Sequence, residues 1–339
     1  MPSGARKFLR YVLGDGKSLK LTEKLQRDVL EKPEARGITK INVWATKVTL
    51  DIIGIAAFGQ DFDTLENSDD ILAKTHDDVL KPTPAKMAIF GLMNFGLDWL
   101  MGLIPGGAVG QLENGTNEFS DEELVDQLRT LIAAGHETTS SSFTWVVYML
   151  ALNPEIQSRL REEIQRNILE DPLTDADQDL GGLLESLPLL NGVCNETLRY
   201  LPTVPLSMRV PNKDTTIVGQ SIPKGTDIFI IPYTINRCKE LWGPTACEVK
   251  PERWIDTETG RPNNTGGASS NYAIMTFLHG AHTCIGQSFA KVELRALVAT
   301  FVRTFAVELA YPGKPVIPTG IITTKPEGGM WVKLKQVDG

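Results

Sequence analysis

The residue best suited to chemistry is Cys284, in a segment that runs from Phe277 to Gly286 and reads Phe-Leu-His-Gly-Ala-His-Thr-Cys-Ile-Gly. The cysteine ends a glycine-flanked loop, and a predicted helix follows at once. The pKa of a free thiol, about 8.5, falls when helix N–H groups and a metal stabilise the thiolate. Glycines let a flat cofactor approach the backbone without meeting a Cβ. The segment therefore predicts a thiolate ligand.

Two other interpretations of this segment stay open on the residues alone. Cys284 could be a buried, unreactive cysteine before a helix. Alternatively, His279, His282 and Cys284 could bind zinc, although a structural zinc site has four ligands and no fourth is evident nearby.

A second segment with unusual chemistry lies inside a long, otherwise apolar helix pattern, from Ala134 to Ser142. It reads Ala-Gly-His-Glu-Thr-Thr-Ser-Ser-Ser. Gly135 and the hydroxyl side chains lower helix propensity, because hydroxyls compete for backbone carbonyls. We expect a local disruption of the helix that makes room for a water or a small ligand. The alternative is a solvated face that interrupts a buried helix.

A third group consists of charged residues. Glu196 and Arg199 are three residues apart on a predicted helix, so they share a face and can pair. Arg253, in the sequence Pro-Glu-Arg-Trp, could join them. Taken alone, a Glu-x-x-Arg spacing is too common to indicate a function.

The elements that must position these residues are mainly helical. Ser120 and Glu123 form a capping box at the start of the long helix, Gly59 ends an earlier one, and Pro202 ends a later one. Short β-branched runs in the second half predict small strands. We predict helices at 41–58, 69–80, 120–152, from 154, 188–200 and about 285–305, and strands at 215–218 and 228–231. The fold class is mainly α with minor β (α+β).

Composition excludes several classes of protein. The chain has 339 residues, 42% of them hydrophobic, and 34 Lys+Arg against 42 Asp+Glu give a net charge of −8. This balance argues against nucleic acid as a partner, since phosphate binding needs clustered basic residues. Four cysteines without a Cys-x-x-Cys pair argue against a disulfide framework.

One apolar segment, Met87 to Val109, is too interrupted to predict a membrane span. The simpler interpretation is a buried helix pair. The alternative is a peripheral membrane contact through Phe90, Phe95, Leu97 and Trp99. No secretory signal is evident at the N-terminus.

The order of the three groups changes their meaning. Ala-Gly-x-Glu-Thr-Thr, Glu-Thr-Leu-Arg, Pro-Glu-Arg-Trp and Phe-x-x-Gly-x-x-x-Cys-x-Gly follow one another in one chain. Together they closely resemble the cytochrome P450 family, in its eukaryotic microsomal and fungal form, from about Trp44 to the C-terminus. The resemblance implies a truncated haem-thiolate fold, with one incomplete domain over 1–339, a helical part at 1–117 and a haem-binding core at 118–339.

The resemblance also implies a role for each matching residue. Cys284 would be the axial ligand of the iron of haem b (iron protoporphyrin IX), and a thiolate there favours O–O cleavage. Glu137 and Thr138 would be the catalytic acid and hydroxyl that deliver protons. Glu196, Arg199 and Arg253 would form a structural triad. The cofactor contacts would be His282, Arg209, Phe277, Gly280 and Gly286, and the substrate contacts would be Leu131, Ala134, Val204 and Ile321.

One departure concerns His282, which stands where the family usually has Arg. We expect it to pair, as an imidazolium, with a haem propionate. A second departure is that the chain starts after the family's membrane anchor, first sheet and early helices, and the join from Gly110 to Ser120 looks short.

The implied activity is that of a haem-thiolate monooxygenase, an oxidoreductase that inserts one atom of O2 into an apolar small molecule in secondary metabolism. Its partner would be an NADPH-dependent P450 reductase. The location would be the cytoplasmic face of the endoplasmic reticulum, or the cytoplasm if the chain carries no anchor. The rival hypothesis is a truncated, non-catalytic remnant or haem-binding pseudoenzyme. A haem-thiolate isomerase or peroxygenase is disfavoured, because Glu137 and Thr138 would have little purpose there.

Overall fold

A computed structural model describes residues 16–32, 34–67, 120–168, 180–320 and 322–337. The chain divides into two compact units, Met1–Ser68 with Gly135–Gly339, and Asp69–Ala134. The predicted helix at 69–80 and the apolar segment from Met87 to Val109, with its alternative of a membrane contact, lie outside the described residues.

Helices make up about half of the described chain. Two of them continue into a turn of π-helix, at Gln26–Leu30 and at Gly54–Phe58. The helices are α1 (Lys17–Leu25), α2 (Ile41–Ile53), α3 (Asp121–Leu152), α4 (Pro154–Asn167), α5 (Leu180–Ser186), α6 (Pro188–Tyr200), α7 (Pro232–Ile235), α8 (Lys239–Trp242) and α9 (Gln287–Thr304).

The strands are short and all pair antiparallel. In the described residues β9 (Trp331–Gln336) lies between β1 (Ile38–Lys40) and β6 (Phe305–Leu309). The other pairs are β2 (Ser207–Arg209) with β5 (Ile228–Ile230), β3 (Thr215–Ile217) with β4 (Gln220–Ile222), and β7 (Pro318–Thr319) with β8 (Lys325–Pro326). The α+β class predicted from the sequence is confirmed.

Local sequence explains where several elements end. Ser120 Oγ accepts from the Glu123 N–H and Glu123 returns a carboxylate to the Ser120 N–H, which is the predicted capping box. Gly59 ends the helix that begins at Ile41 with a φ of 67°. Val218 and Gly219 both have positive φ in the turn between β3 and β4, as a two-residue hairpin requires.

The main core lies between α9 and the helices around it. All but one of the residues from Glu293 to Val302 are buried, so α9 has little solvent-facing surface along its second half. Phe301 packs edge-on against Phe143 of α3, with 5.5 Å between the ring centroids. A smaller apolar cluster forms around Trp242 and Trp254.

The expected disruption of α3 is wrong. The helix runs unbroken through the polar segment, because the hydroxyls of Thr139, Ser140 and Ser142 each bond to a carbonyl three or four residues earlier in the same helix. Thr139 Oγ1 donates to Gly135 O at 3.2 Å and Ser142 Oγ to Thr138 O at 2.8 Å. The alternative of a solvated face is also wrong, since the segment is mostly buried.

One described helical stretch, Ile41–Phe58, is long and apolar enough to cross a membrane by length and composition, and half of it is buried inside the structure.

Candidate functional site: a cavity beneath the Cys284 loop

A cavity of about 230 Å³ lies inside the first compact unit, where α3, α6 and α9 approach the cysteine loop. Its wall is mostly apolar, with a polar strip contributed by α3 and by the residues after α6. The residues that line the cavity include Thr138, Thr139, Ser142, Thr203, Val204, Thr276, Phe277, His282, Cys284 and Leu294. A mostly apolar pocket with a few polar groups is typical of a small-molecule or cofactor site.

The cysteine loop presents its thiol to this cavity. Cys284 N–H donates to Phe277 O at 2.9 Å, which closes the loop, and Gln287 N–H donates to Cys284 O at 3.3 Å as α9 begins. Cys284 is exposed and lines the cavity. The sulfur therefore lies close to the N-terminal end of a helix, where free N–H groups and the helix dipole favour an anion.

Glycines shape the loop as the sequence predicted for a flat ligand. Gly280 has a φ of 71°, in the left-handed region that favours glycine, and Leu278 shares that region at 56°. A Cβ placed on Gly286 would meet Cys284 Sγ at 3.9 Å. Gly286 is thus within van der Waals reach of the sulfur.

The two alternatives for Cys284 are wrong. The cysteine is exposed rather than buried. No three His, Cys, Asp or Glu side chains cluster to hold a metal in the stretches that the structure describes, and His279 instead places Nε2 3.0 Å from Ile274 O. By contrast Cys194 is fully buried, and burial raises the pKa of its thiol to about 12.

Part of the polar segment of α3 lines the cavity, and part contacts the chain from Thr323 to Lys325. Thr138 and Thr139 line the cavity, as does Ser142, whose Oγ lies 2.8 Å from Thr203 Oγ1. Glu137 does not line it. Its Oε1 accepts from Thr323 Oγ1 at 2.7 Å and lies 2.7 Å from Lys325 Nζ.

The predicted cofactor and substrate contacts fall into two groups. Phe277, His282 and Val204 line the cavity. Arg209 does not, and its Nη1 donates to Ser207 Oγ at 2.9 Å and Met208 O at 2.7 Å on its own strand. The propionate contact assigned to Arg209 stays a prediction.

Two further predicted substrate residues, Leu131 and Ala134, are not among the residues that line this cavity. Leu131 and Ala134 belong to the second compact unit, and both are exposed. Ile321 lies outside the described residues.

The three predicted triad residues meet around Glu196. Its carboxylate pairs with Arg199 Nη2 at 2.8 Å and with Arg253 Nε at 3.0 Å. Glu196 Oε2 also accepts from Trp254 Nε1 at 2.9 Å. Arg199 is fully buried and donates to three backbone carbonyls, at Asn236, Ala246 and Glu248.

The triad is connected to the cavity wall through Asn236. Asn236 Nδ2 donates to Thr276 Oγ1 at 2.9 Å, and Thr276 Oγ1 donates to Leu198 O at 2.7 Å. Thr276 precedes Phe277 at the start of the cysteine loop. The charge cluster is therefore bonded, through Asn236 and Thr276, to the start of the cysteine loop.

Sequence analysis missed three residues of this region. Thr323 and Lys325 contact Glu137 from 186 and 188 positions further along the chain, and no local pattern indicates such a pairing. Glu293 was also missed, although an acidic residue within the apolar pattern of α9 was a usable signal. It is 1% exposed, and neither carboxylate oxygen has a hydrogen-bond partner of normal geometry in the part of the chain that the structure describes.

An accessible cysteine at a helix N-terminus, which shares a mostly apolar cavity with hydroxyl side chains, is the arrangement expected of a haem-thiolate protein. The sequence profile of the family "Cytochrome P450" matches residues 106–332. The chain belongs to the cytochrome P450 family.

Its relatives include fungal proteins of this family. The chain is 37% identical to cytochrome P450 monooxygenase ptmK of Penicillium ochrochloron, over 94% of this chain and 69% of the relative. It is 34% identical to sphH of Aspergillus fumigatus and 34% identical to abl5 of Leptosphaeria maculans, in each case over 95% of this chain and 66% of the relative. The chain thus spans about two thirds of the length of these curated relatives.

The residues that line the cavity match the haem that membership of the family implies. The thiol is accessible, and the wall around it is largely apolar. His282 is the ionisable nitrogen donor in the described wall of the cavity. A porphyrin with an iron that accepts a sulfur ligand matches this combination.

Proposed function

We propose that the protein is a haem-thiolate monooxygenase that places one atom of O2 into an apolar small molecule. The observation that carries this proposal is the placement of Cys284 and Thr138 in the wall of the same cavity. A thiolate and a hydroxyl that share an apolar cavity provide an iron ligand and a proton-transfer group for oxygen chemistry.

Each part of the wall has a task in this proposal. Cys284 binds the iron of haem b, and His282 and Phe277 hold the porphyrin. When bound, the haem supplies the redox chemistry by which O2 is reduced and the substrate oxidised. Val204 and Leu294 exclude water and offer an apolar surface to the substrate. Specificity for an apolar substrate follows from this surface.

The hydroxyls of α3 hold and move protons. Thr138 lies in the wall, and Ser142 with Thr203 extends the polar strip across it. Glu137 is the nearest acid along the helix, and it supplies protons to the Thr138 side of the cavity. General acids contribute most when they are positioned within hydrogen-bond reach of the group that they protonate.

The partners are the finer part of the proposal. Two electrons per turnover come from an NADPH-dependent P450 reductase, and the reaction belongs to fungal secondary metabolism. The protein acts at the cytoplasmic face of the endoplasmic reticulum. Fungal relatives named as cytochrome P450 monooxygenases support the monooxygenase activity itself.

The test compares cysteine variants of the purified protein supplied with hemin. The reduced, carbon-monoxide-bound protein is expected to show the red-shifted Soret band of a thiolate ligand, and Cys284→Ala is expected to lose it. Cys247→Ala is the matched control, because Cys247 is an exposed free cysteine that does not line the cavity. A colourless protein that does not take up hemin would overturn the proposal.

Haem binding without catalysis is the rival hypothesis, and Thr138→Ala separates the two. A monooxygenase is expected to consume NADPH with less product per electron pair in this variant. Thr144→Ala is the control, since Thr144 is a buried hydroxyl of the same helix, bonded to Ser140 O at 2.8 Å, and does not line the cavity. A thiolate Soret band without any substrate-dependent NADPH consumption would favour the rival.

A further inference from the structure

We propose that Lys325 and Thr323 are positioning residues, which hold the Glu137 carboxylate outside the cavity wall and control its supply of protons. This inference rests on the proposed function. It assigns a role in oxygen chemistry to the C-terminal segment that carries β8.

Two side chains contact the same oxygen of Glu137. Glu137 Oε1 accepts from Thr323 Oγ1 at 2.7 Å and lies 2.7 Å from Lys325 Nζ. The Glu137 side chain is 8% exposed, so these two partners replace hydrogen bonds that water would make to an exposed carboxylate. Release of both contacts at once is therefore costly.

The side chains of Glu137 and Thr138 point in different directions. Successive residues of an α-helix are about 100° apart around its axis. Thr138 lies in the cavity wall, whereas Glu137 does not and contacts the segment from Thr323 to Lys325. Glu137 must exchange these partners for the cavity side before it can protonate a group near Thr138.

The segment which holds Glu137 is itself fixed to the cavity wall. Thr324 O accepts from Trp145 Nε1 at 3.0 Å and from Ser141 Oγ, both on α3. Thr324 N–H donates to Thr203 O at 2.7 Å. Thr203 lines the cavity and its Oγ1 lies 2.8 Å from Ser142 Oγ.

Hydrogen bonds thus join Ser142 to Thr203 and Thr203 to Thr324. Thr324 lies in the chain between Thr323 and Lys325, the two residues that hold Glu137. A molecule that displaces Thr203 moves the segment, and with it the contacts to Glu137. Binding of a molecule in the cavity is in this way coupled to whether the Glu137 carboxylate keeps its contacts with Thr323 and Lys325.

Lys325 also places the outer end of this arrangement at the surface. Its side chain is 34% exposed, whereas that of Glu137 is nearly buried. The ammonium is thus the point at which bulk water meets the buried carboxylate. Protons that replenish Glu137 enter beside Lys325, at the middle of α3.

The experiment uses Lys325→Met and Lys325→Arg, with Lys333→Met as the matched control. Lys333 is an exposed lysine of β9 that pairs with Glu308 at 3.5 Å. The first readout needs no activity: urea unfolding of Lys325→Met, Glu137→Gln and the double variant. We expect a non-zero coupling between the two positions, and independent effects for Lys333→Met combined with Glu137→Gln.

The second readout is the solvent isotope effect on NADPH oxidation, which a purely structural role of Lys325 would leave unchanged. The hemin-loaded protein, with reductase, NADPH and dodecanoic acid as an apolar probe, is assayed in H2O and D2O. Lys325→Met is expected to change the solvent isotope effect on NADPH oxidation by at least twofold and to release more hydrogen peroxide. Lys325→Arg is expected to restore both values, and Lys333→Met to leave them unchanged.

The outcomes separate this inference from the proposed function. Additive unfolding effects, or an isotope effect in Lys325→Met equal to that of the unsubstituted protein, overturn the positioning role. Absence of the thiolate Soret band overturns the proposed function, and with it the proton role. In that case the unfolding cycle alone still decides whether Lys325 holds Glu137.

Discussion

Replacement of Arg199 by Leu tests whether the buried charge cluster holds the cysteine loop in place. The side chain is fully buried between Glu196 and three backbone carbonyls. The variant leaves Glu196 with Arg253 as its remaining charged partner and removes the donor from each carbonyl. Loss of one partner from a buried, hydrogen-bonded ion pair costs about 3–5 kcal/mol.

Two further arginine variants provide reference values for the loss of stability in Arg199→Leu. Arg159 pairs with Glu252 at 2.7 Å, and both side chains are 46% exposed, so Arg159→Leu is expected to cost less than about 1 kcal/mol. Arg253→Leu is expected to fall between the two, because Arg253 is 9% exposed and Glu196 keeps Arg199. The expected order of destabilisation is Arg199, then Arg253, then Arg159.

Urea unfolding followed by circular dichroism measures these differences. With an unfolding entropy of about 0.7 kcal/mol/K for 339 residues, a loss of 3–5 kcal/mol corresponds to a drop in Tm of about 4–7 °C. Because Asn236 connects Arg199 to Thr276, Arg199→Leu is also expected to lower the yield of the thiolate Soret band per mole of folded protein. The reasoning is refuted if Arg199→Leu is no more destabilising than Arg159→Leu.

Two other predictions concern stability. Burial raises the pKa of Glu293 well above 4.5, so the folded protein keeps a proton that the unfolded chain releases, and stability falls as pH rises from about 4.5 towards the raised value. Glu293→Gln is therefore expected to become increasingly more stable than the unsubstituted protein as the pH of a urea titration is raised from 4 to 8, and a constant difference would contradict this. A Cβ on Gly192 would lie 2.5 Å from Pro251 O, so Gly192→Ala is expected to cost about 1–3 kcal/mol in thermal unfolding. Gly135→Ala is the control and is expected to cost less, because its Cβ meets the flexible end of Ile53 at 2.8 Å and alanine favours the helix; equal costs would contradict the steric argument.

Local signals in the sequence predicted most of the helical elements. Pro188 at the first position and Pro202 after the last turn bound α6 at the residues observed. The capping box at Ser120 likewise identified the start of α3. These features act within a few residues, so the sequence contains them in readable form.

Contacts between distant segments were not predictable in the same way. Lys325 reaches Glu137 only because β8 is brought to α3 by tertiary packing. The unbroken path of α3 has the same cause, since burial and extra hydroxyl bonds outweigh the low helix propensity of Gly135 and its neighbours. Tertiary context overrides such propensities.

The central claim is that the Cys284 thiolate binds haem iron in the cavity. The most direct measurement is the absorption spectrum of the reduced, carbon-monoxide-bound protein for the unsubstituted chain, Cys284→Ala and Cys247→Ala. We predict the red-shifted thiolate Soret band in the first and third and its loss in the second. An unchanged band in Cys284→Ala, or no bound haem in the unsubstituted protein, would contradict the claim.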